Sequence, residues 1–316
     1  MSVDAMPFQL TILGTSSALP TSNRYPTAQV LNVLGRFFLI DCGEGTQTQM
    51  RKFKIGFSKI DHIFITHLHG DHIFGLIGLI STMVLLGRQK DLHIYAHSEL
   101  QKYISAQLNF LYAVGIPYRI VYHPLNFKSE QVIYEDTKVT IFSFPLSHRI
   151  PTCGFRFEEK PALPNLKKHK IEEFQIPIRD RQRIKEGGDF ITDDGRLIPH
   201  SELTTYRFKA RSFAFCSDTR LDESYIASVR NVDLLYHEAT FADDNRELAR
   251  TTYHSTGKDA ATVALTAQVG KLLIGHFSAR YKDNSPILEE ALKIFPKTSV
   301  IAEGDVINVE KKKILL

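Results

Sequence analysis

A chain of 316 residues with 43% apolar and 23% charged side chains can build a large core, which excludes a disordered or low-complexity protein. Its net charge of +4 and pI near 8.8 are only mildly basic, so a polyanionic partner is permitted where cations cluster but is not required. Cys42, Cys153 and Cys216 are few and far apart, which argues against a disulfide scaffold, and no apolar run approaches the roughly 18 residues of a membrane span; a cytoplasmic protein without a membrane partner is expected.

Strand-like runs begin at Phe8–Leu13 and continue with Ala28–Val33 and Arg36–Ile40, a hairpin turning at Leu34-Gly35. Asp41-Cys-Gly-Glu-Gly-Thr46 follows at a strand end, with Asp41 and Glu44 as candidates for orienting ligands, and Gln47–Phe53 reads as a helix. Lys59–Thr66 is a strand, Ile73–Leu86 a helix, Leu92–Ala96 a strand and Glu99–Asn109 a helix. Strands are expected at Tyr118–Tyr122, Gln131–Tyr134, Lys138–Phe144 and Thr152–Phe157. Residues 158–209 change character: polar, rich in Pro, without sustained strand periodicity, and carrying eight Lys/Arg against four Asp/Glu between 160 and 186. They read as an inserted arm in an otherwise single domain spanning 1–316. The globular pattern resumes in strands at Ser212–Cys216, Val232–Tyr236, Lys271–His276 and Ser299–Ala302, with helices at Gly257–Val269 and Ile287–Ile294. Such alternation predicts α/β layers.

The chemistry concentrates in Thr66-His-Leu-His-Gly-Asp-His72. On an extended segment His67 and His69 project the same way, and Gly70 permits a turn that brings Asp71 and His72 to the same space. Imidazoles with a hard carboxylate suit zinc, and manganese or iron less exclusively. Two metals need at least three more ligands, and those are expected directly after apolar strands. His148, Asp218 and His276 occupy such positions. The resulting assignment puts His67, His69 and His148 on one zinc and Asp71, His72 and His276 on the other. Asp218 bridges them, because a carboxylate links two ions and offsets their charge.

The order His-x-His-x-Asp-His, His, Asp, His on alternating strands resembles the metallo-β-lactamase superfamily. Within it, His237-Glu-Ala-Thr-Phe241, His254-Ser-Thr256 and His276-Phe-Ser-Ala-Arg-Tyr281 resemble the ribonuclease Z family in its short form. The resemblance implies a four-layer αββα metallo-β-lactamase sandwich with a protruding arm, two Zn2+ per subunit (Mn2+ or another divalent metal being possible) and precursor tRNA as substrate. It implies a homodimer in which one subunit's arm grips tRNA cut by the other. Cleavage is expected to leave a 3′-hydroxyl on the tRNA and a 5′-phosphate on the trailer. Asp71 is the candidate base that orients the attacking water, His254 the proton donor to the leaving oxygen, and Glu238 the carboxylate that orients His254. Lys167, Lys168, Lys170, Arg179, Arg181, Arg183 and Lys185 on the arm, and Arg280 beside His276, are the candidates for gripping RNA; Arg149 and Tyr281 could hold phosphate or ribose. Three departures from the family pattern are visible: Ser217 for glycine, Ile77 for proline, and an arm tip reading Ile176-Pro-Ile-Arg-Asp-Arg-Gln-Arg183 without a Gly-Pro pair. A phosphodiesterase or arylsulfatase acting on small esters, and a zinc-stabilised RNA-binding protein without turnover, are the competing readings.

Overall fold

Apolar residues recur on both faces of the central strands, so each sheet needs a cover on either side. The computed structural model, which describes residues 7–314, meets that need with two seven-stranded sheets. The first runs, in spatial order, Val306–Asn308, Phe8–Gly14, Ala28–Val33, Arg36–Ile40, Ile60–Phe64, Leu92–Ala96 and Ile120–Pro124. The second runs Thr298–Val300, Leu272–Gly275, Leu234–Glu238, Ser212–Cys216, Thr152–Glu159, Val139–Leu146 and Gln131–Glu135. The inner faces share one aromatic-rich core that includes Phe38, Phe64, Phe155, Phe157 and Phe213. On the outer face of the first sheet, Leu76, Leu79, Ile80, Leu100 and Ile104 come from the helices Leu76–Leu85 and Glu99–Leu111. On that of the second, Ala260, Ala264, Ile287 and Ala291 come from Gly257–Thr266 and Ser285–Leu292. The order of layers is therefore αββα, as expected. All three cysteines are buried and unpaired, and among the described residues no helix is long and apolar enough to cross a membrane.

The expected helix Ile73–Leu86 is instead two helices, Gly70–Ile73 and Leu76–Leu85. The Gly75 N–H turns aside to the Cys42 carbonyl at 2.9 Å, and a Cβ on Gly75 would fall 2.1 Å from the Gly43 oxygen. The neighbouring loop thus presses into the helix and breaks its ladder. Three further elements have no counterpart in the sequence reading: the strand Val306–Asn308, the helix Arg246–Thr252, and the ordered interior of the arm. Ser217 is absent from the left-handed residues, so the turn before Asp218 needs no glycine; Ile77 packs, half-buried, against the first helical core.

Backbone contacts divide the described chain into two units. One runs through Glu158 and resumes over Ser212–Val309; the other comprises Glu159–Arg211 and the chain from Glu310 onward. The tail joins the second unit through hydrogen bonds from Lys209 N to Lys312 O (2.9 Å) and from Ile314 N to Arg207 O (3.1 Å). Inside that unit Ile176, Ile184, Phe190, Ile198 and Leu203 form a small core, and the departing tip sequence folds as the helix Ile178–Lys185, started by Pro177.

Candidate metal centre

Every predicted ligand lies at the carboxyl end of a strand in one or other large sheet, where chains leave the ladder and side chains are free to converge. Pairing of Ile60–Phe64 stops at Phe64, and the Thr66 N–H then bonds the Asp41 carboxylate at 2.8 Å. Asp41 adopts a left-handed backbone (φ 56°), unusual outside glycine, and this turns its side chain toward the ligand loop. His67 and His69 stay extended and share a face, their ring nitrogens 3.0 Å apart. Asp71 and His72 ride on the short helix Gly70–Ile73 rather than on a tight turn. His276 sits immediately after Leu272–Gly275, also left-handed at φ 62°.

The seven predicted ligands fall into two neighbouring groups: His67, His69, His148 and Asp218, and Asp71, His72 and His276. Asp218 faces both. Its Oδ2 lies 3.6 Å from His67 Nε2 and 3.8 Å from His148 Nε2, and its Oδ1 lies 3.5 Å from His72 Nε2 and 3.2 Å from His276 Nε2. Asp71 Oδ2 is 3.6 Å from His72 Nε2 and 3.5 Å from His276 Nε2. Ligands about 2.0–2.1 Å from a tetrahedral ion stand about 3.3–3.4 Å from one another, so these separations suit a shared cation better than direct hydrogen bonds. A second observation agrees. Buried His72 Nε2, His276 Nε2 and Asp218 Oδ1 have no hydrogen-bond partner, a costly state in an interior unless something else takes the lone pairs. The donor set fits a divalent metal.

Electrostatics point the same way. Burial holds His67, His69 and His148 below the ordinary histidine range, keeping the imidazoles neutral as ligation requires. Burial also opposes charge on His72, but Asp71, Asp218 and Asp41 outweigh it and hold that ring well above the usual range. The three carboxylates around His72 thus favour positive charge in this half of the site.

The ring nitrogens facing away from the cluster are held by Asp41, expected from the sequence to orient ligands, and by partners the sequence did not single out. Asp41 Oδ2 lies 2.8 Å from His72 Nδ1, while the Thr66 hydroxyl touches Asp41 (2.9 Å), His67 Nδ1 (3.1 Å) and Ser217 Oγ (3.1 Å). His148 Nδ1 donates to the carbonyl of Tyr253 (2.9 Å), the left-handed residue that ends the unforeseen helix Arg246–Thr252. Thr240 Oγ1 accepts from His276 Nδ1 at 3.0 Å and donates to Glu238 Oε2 at 2.8 Å. The residue types gave no signal, because threonines of this kind are abundant on strands.

Beside the cluster, His254 Nδ1 lies 2.8 Å from Glu238 Oε1, and the His254 ring stands 5.1 Å from that of His148 and 5.6 Å from that of His276. Glu238 is fully buried and also accepts the N–H groups of Thr219, Ser255 and Thr240. Burial disfavours a charged His254, but the Glu238 carboxylate overcomes it and lifts the imidazole to about 9. His237 is a core histidine instead, bonded between Tyr225 OH (2.9 Å) and the Glu238 carbonyl (2.7 Å).

A cleft of about 660 Å3 opens over the cluster, reaching from Leu19, Glu44 and Phe74 to Arg149, Phe241 and His254. Glu44, read from sequence as a possible ligand-orienting group, instead lines this cleft as an exposed side chain. Arg149 bonds the Thr251 carbonyl (3.0 Å) and Arg280 leans over Phe241 (5.3 Å), both exposed at the rim. The Tyr281 hydroxyl accepts hydrogen bonds from the Ala242 N–H and the Asn245 amide, each at 3.0 Å, which fixes its ring beside the cleft wall. In the second unit the arm cations divide. Lys167, Lys170 and Arg181 are half-buried and bond within the unit, Arg183 and Arg179 pair with Asp180 (3.5 and 3.7 Å) but are exposed, Lys168 is exposed, and Lys185 is half-buried on the same helix as Arg179.

Comparison with known proteins extends these observations. The chain is 45% identical over 306 residues to the Ribonuclease Z of Phocaeicola vulgatus, covering 97% of this chain and 99% of that protein. Its structure is similar to the crystal structure of human tRNase Z, short form (TM-score 0.70, 26% identity, 96% of this chain and 99% of that one). It also shares the fold of the metallo-beta-lactamase fold protein YhfI from Bacillus subtilis (TM-score 0.68, 17% identity, 96% and 99%). A family profile described as anti-Pycsar protein Apyc1 matches residues 8–109, less than half of the chain. With a His/Asp cluster suited to a divalent metal on this fold and 45% identity over nearly the whole length of a named relative, the chain belongs to the ribonuclease Z family.

Proposed function

We propose that this protein is a zinc-dependent endoribonuclease that removes the 3′ trailer from precursor tRNA in the cytoplasm, working as a homodimer. The observation that carries the reading is the His254–Glu238 pair poised beside a seven-residue metal cluster in a chain 45% identical to a ribonuclease Z. His67, His69 and His148 would hold one Zn2+, Asp71, His72 and His276 the other, with Asp218 between them. When bound, two such ions supply Lewis acidity that lowers the pKa of water and neutralises the phosphate oxygens.

The protein's own groups then divide the work. Asp71, whose carboxylate His72 and His276 hold ionised against the effect of burial, orients the attacking water toward phosphorus and takes up the proton that the water loses. The water oxygen bonds to phosphorus as the P–O3′ bond breaks. The phosphate stays on the 5′ end of the trailer, and the departing O3′ takes a proton from His254 Nε2 and remains with the tRNA. Glu238 holds Nδ1 of the same ring, so Nε2 is the nitrogen presented to the substrate. Arg149 and Arg280 at the rim offer charge to the flanking phosphates. In the arm, the exposed cations Lys168, Arg179 and Arg183, with Lys185, would meet tRNA phosphates, whereas Lys167, Lys170 and Arg181 are taken up by hydrogen bonds within the unit.

The test is incubation of the purified protein with a 3′-extended precursor tRNA, with and without chelator. The expected products are a tRNA ending in a 3′-hydroxyl at the discriminator base and a trailer beginning with a 5′-phosphate, both lost on chelation. A 3′-phosphate or cyclic phosphate on the tRNA would rule out the proposed bond cleavage.

A further inference from the structure

Two large apolar side chains stand exposed at the edge of the cleft: Phe74 at 59% and Leu19 at 64% of full exposure. Neither is loose. Phe74 follows Gly70 by four residues, so its ring lies back over the preceding turn, and a Cβ on Gly70 would fall 2.2–2.8 Å from three ring carbons. Gly70 is not in the left-handed region; its missing side chain makes room for this ring. One side of Phe74 is therefore seated on the ligand loop while much of the ring remains open to the cleft. Leu19 is fixed from the other direction. Left-handed Ala18 (φ 57°) donates its N–H to Asp71 Oδ2 at 2.8 Å, and the Leu19 carbonyl accepts from Ser16 Oγ at 2.7 Å. Both residues are thus anchored to the segment that carries Asp71.

Leaving a phenylalanine and a leucine in water costs stability unless a partner covers them. Glu44, exposed in the same cleft, repels phosphate, so the complement of this wall is a flat, uncharged surface. Resting on the endonuclease reading above, the leaving O3′ and the nucleotide that bears it belong beside His254. The nucleotide on the other side of the phosphorus must then go elsewhere in the cleft. We propose that Phe74, backed by Leu19, is a stacking site for the nucleobase of the first trailer nucleotide. Any of the four bases fits, because each presents a π-face.

The experiment compares the wild type with Phe74→Ala, Phe74→Leu and Phe74→Tyr, at matched metal content. Substrates are an intact precursor tRNA, one abasic at the first trailer position, and one abasic at the discriminator position. Phe74→Leu keeps apolar cover over Gly70 but has no π-face, and guards against damage to the ligand loop. The expected result is a loss of about tenfold or more in kcat/KM for Phe74→Ala and Phe74→Leu on the intact precursor. Phe74→Tyr should stay near wild type. The abasic trailer should cost the wild type a similar factor and the two ring-less variants nothing further. Additive losses, or coupling to the discriminator position instead, would overturn the subsite alone. Failure of the wild type to cut the intact precursor would overturn the endonuclease reading with it.

Discussion

Removing the Thr240 hydroxyl isolates a contact that the structure gives to His276. Thr240 Oγ1 accepts from His276 Nδ1 at 3.0 Å and passes its own hydrogen to Glu238 Oε2 at 2.8 Å, while His276 Nε2 faces the Asp71 and Asp218 carboxylates without a hydrogen bond. This arrangement keeps the proton on Nδ1 and the lone pair on Nε2, the form that ligates a metal. Valine at 240 preserves the branched shape but leaves a buried Nδ1–H without an acceptor, which costs about 1–3 kcal/mol. The ring can escape that cost by shifting its proton to Nε2, and it then no longer ligates. Either route comes out of metal binding, so affinity should fall roughly 10- to 100-fold, the usual effect of removing an outer-shell partner. Titration of the loaded protein with a chromogenic chelator, metal being counted by mass spectrometry, measures this directly. Thr240→Ser restores the hydroxyl and should recover most of the affinity. If Thr240→Val retained metal as tightly as the wild type, the hydroxyl would not be what orients His276.

His254→Ala should retain its metal content yet lose about 10²–10⁴ in kcat on precursor tRNA, the span of general acid catalysis; loss of bound metal in this variant would instead make His254 a ligand. Charge reversal at Lys168 and Arg179 is a cleaner test of the arm than deletion, because cutting out 160–186 would uncover Phe190, Ile198 and Leu203. Each reversal should weaken precursor tRNA and reduce the salt slope by about 1 while sparing bis-p-nitrophenyl phosphate; unchanged tRNA cleavage would remove the arm from recognition. Away from the metal cluster, burial and neighbouring His93 hold His62 down to about 4, although Asp61 opposes them. The unfolded chain therefore takes up this proton first, and stability present above about pH 6.5 should drain away as pH falls toward 4. Thermal melts across that range should show a shallower loss for His62→Phe, and an unchanged slope would exclude this histidine as a source of acid lability.

Much of the centre was legible because its chemistry is local. Three histidines and an aspartate within six residues need only an extended segment and one helical turn to converge. His148, Asp218 and His276 were recoverable because each directly follows an apolar strand, and strand ends in layered α/β folds meet at one edge. The alternation of strands and helices likewise carried the layer order. Asp41, at a strand end, was legible as a ligand-orienting carboxylate and does hold His72, but only the tertiary structure decided the other holders of the outer nitrogens: the Thr66 and Thr240 hydroxyls and the carbonyl of Tyr253. These contacts join chain segments up to about a hundred residues apart, and hydroxyls and carbonyls occur everywhere, so no local pattern marks them. The same holds for the tail that joins the second unit, for the helix broken at Gly75 by the 42–43 loop, and for Gly70, whose missing side chain seats Phe74 instead of easing a turn. Ligand identity is a property of residue type and spacing; ligand orientation depends on which distant segment happens to lie alongside.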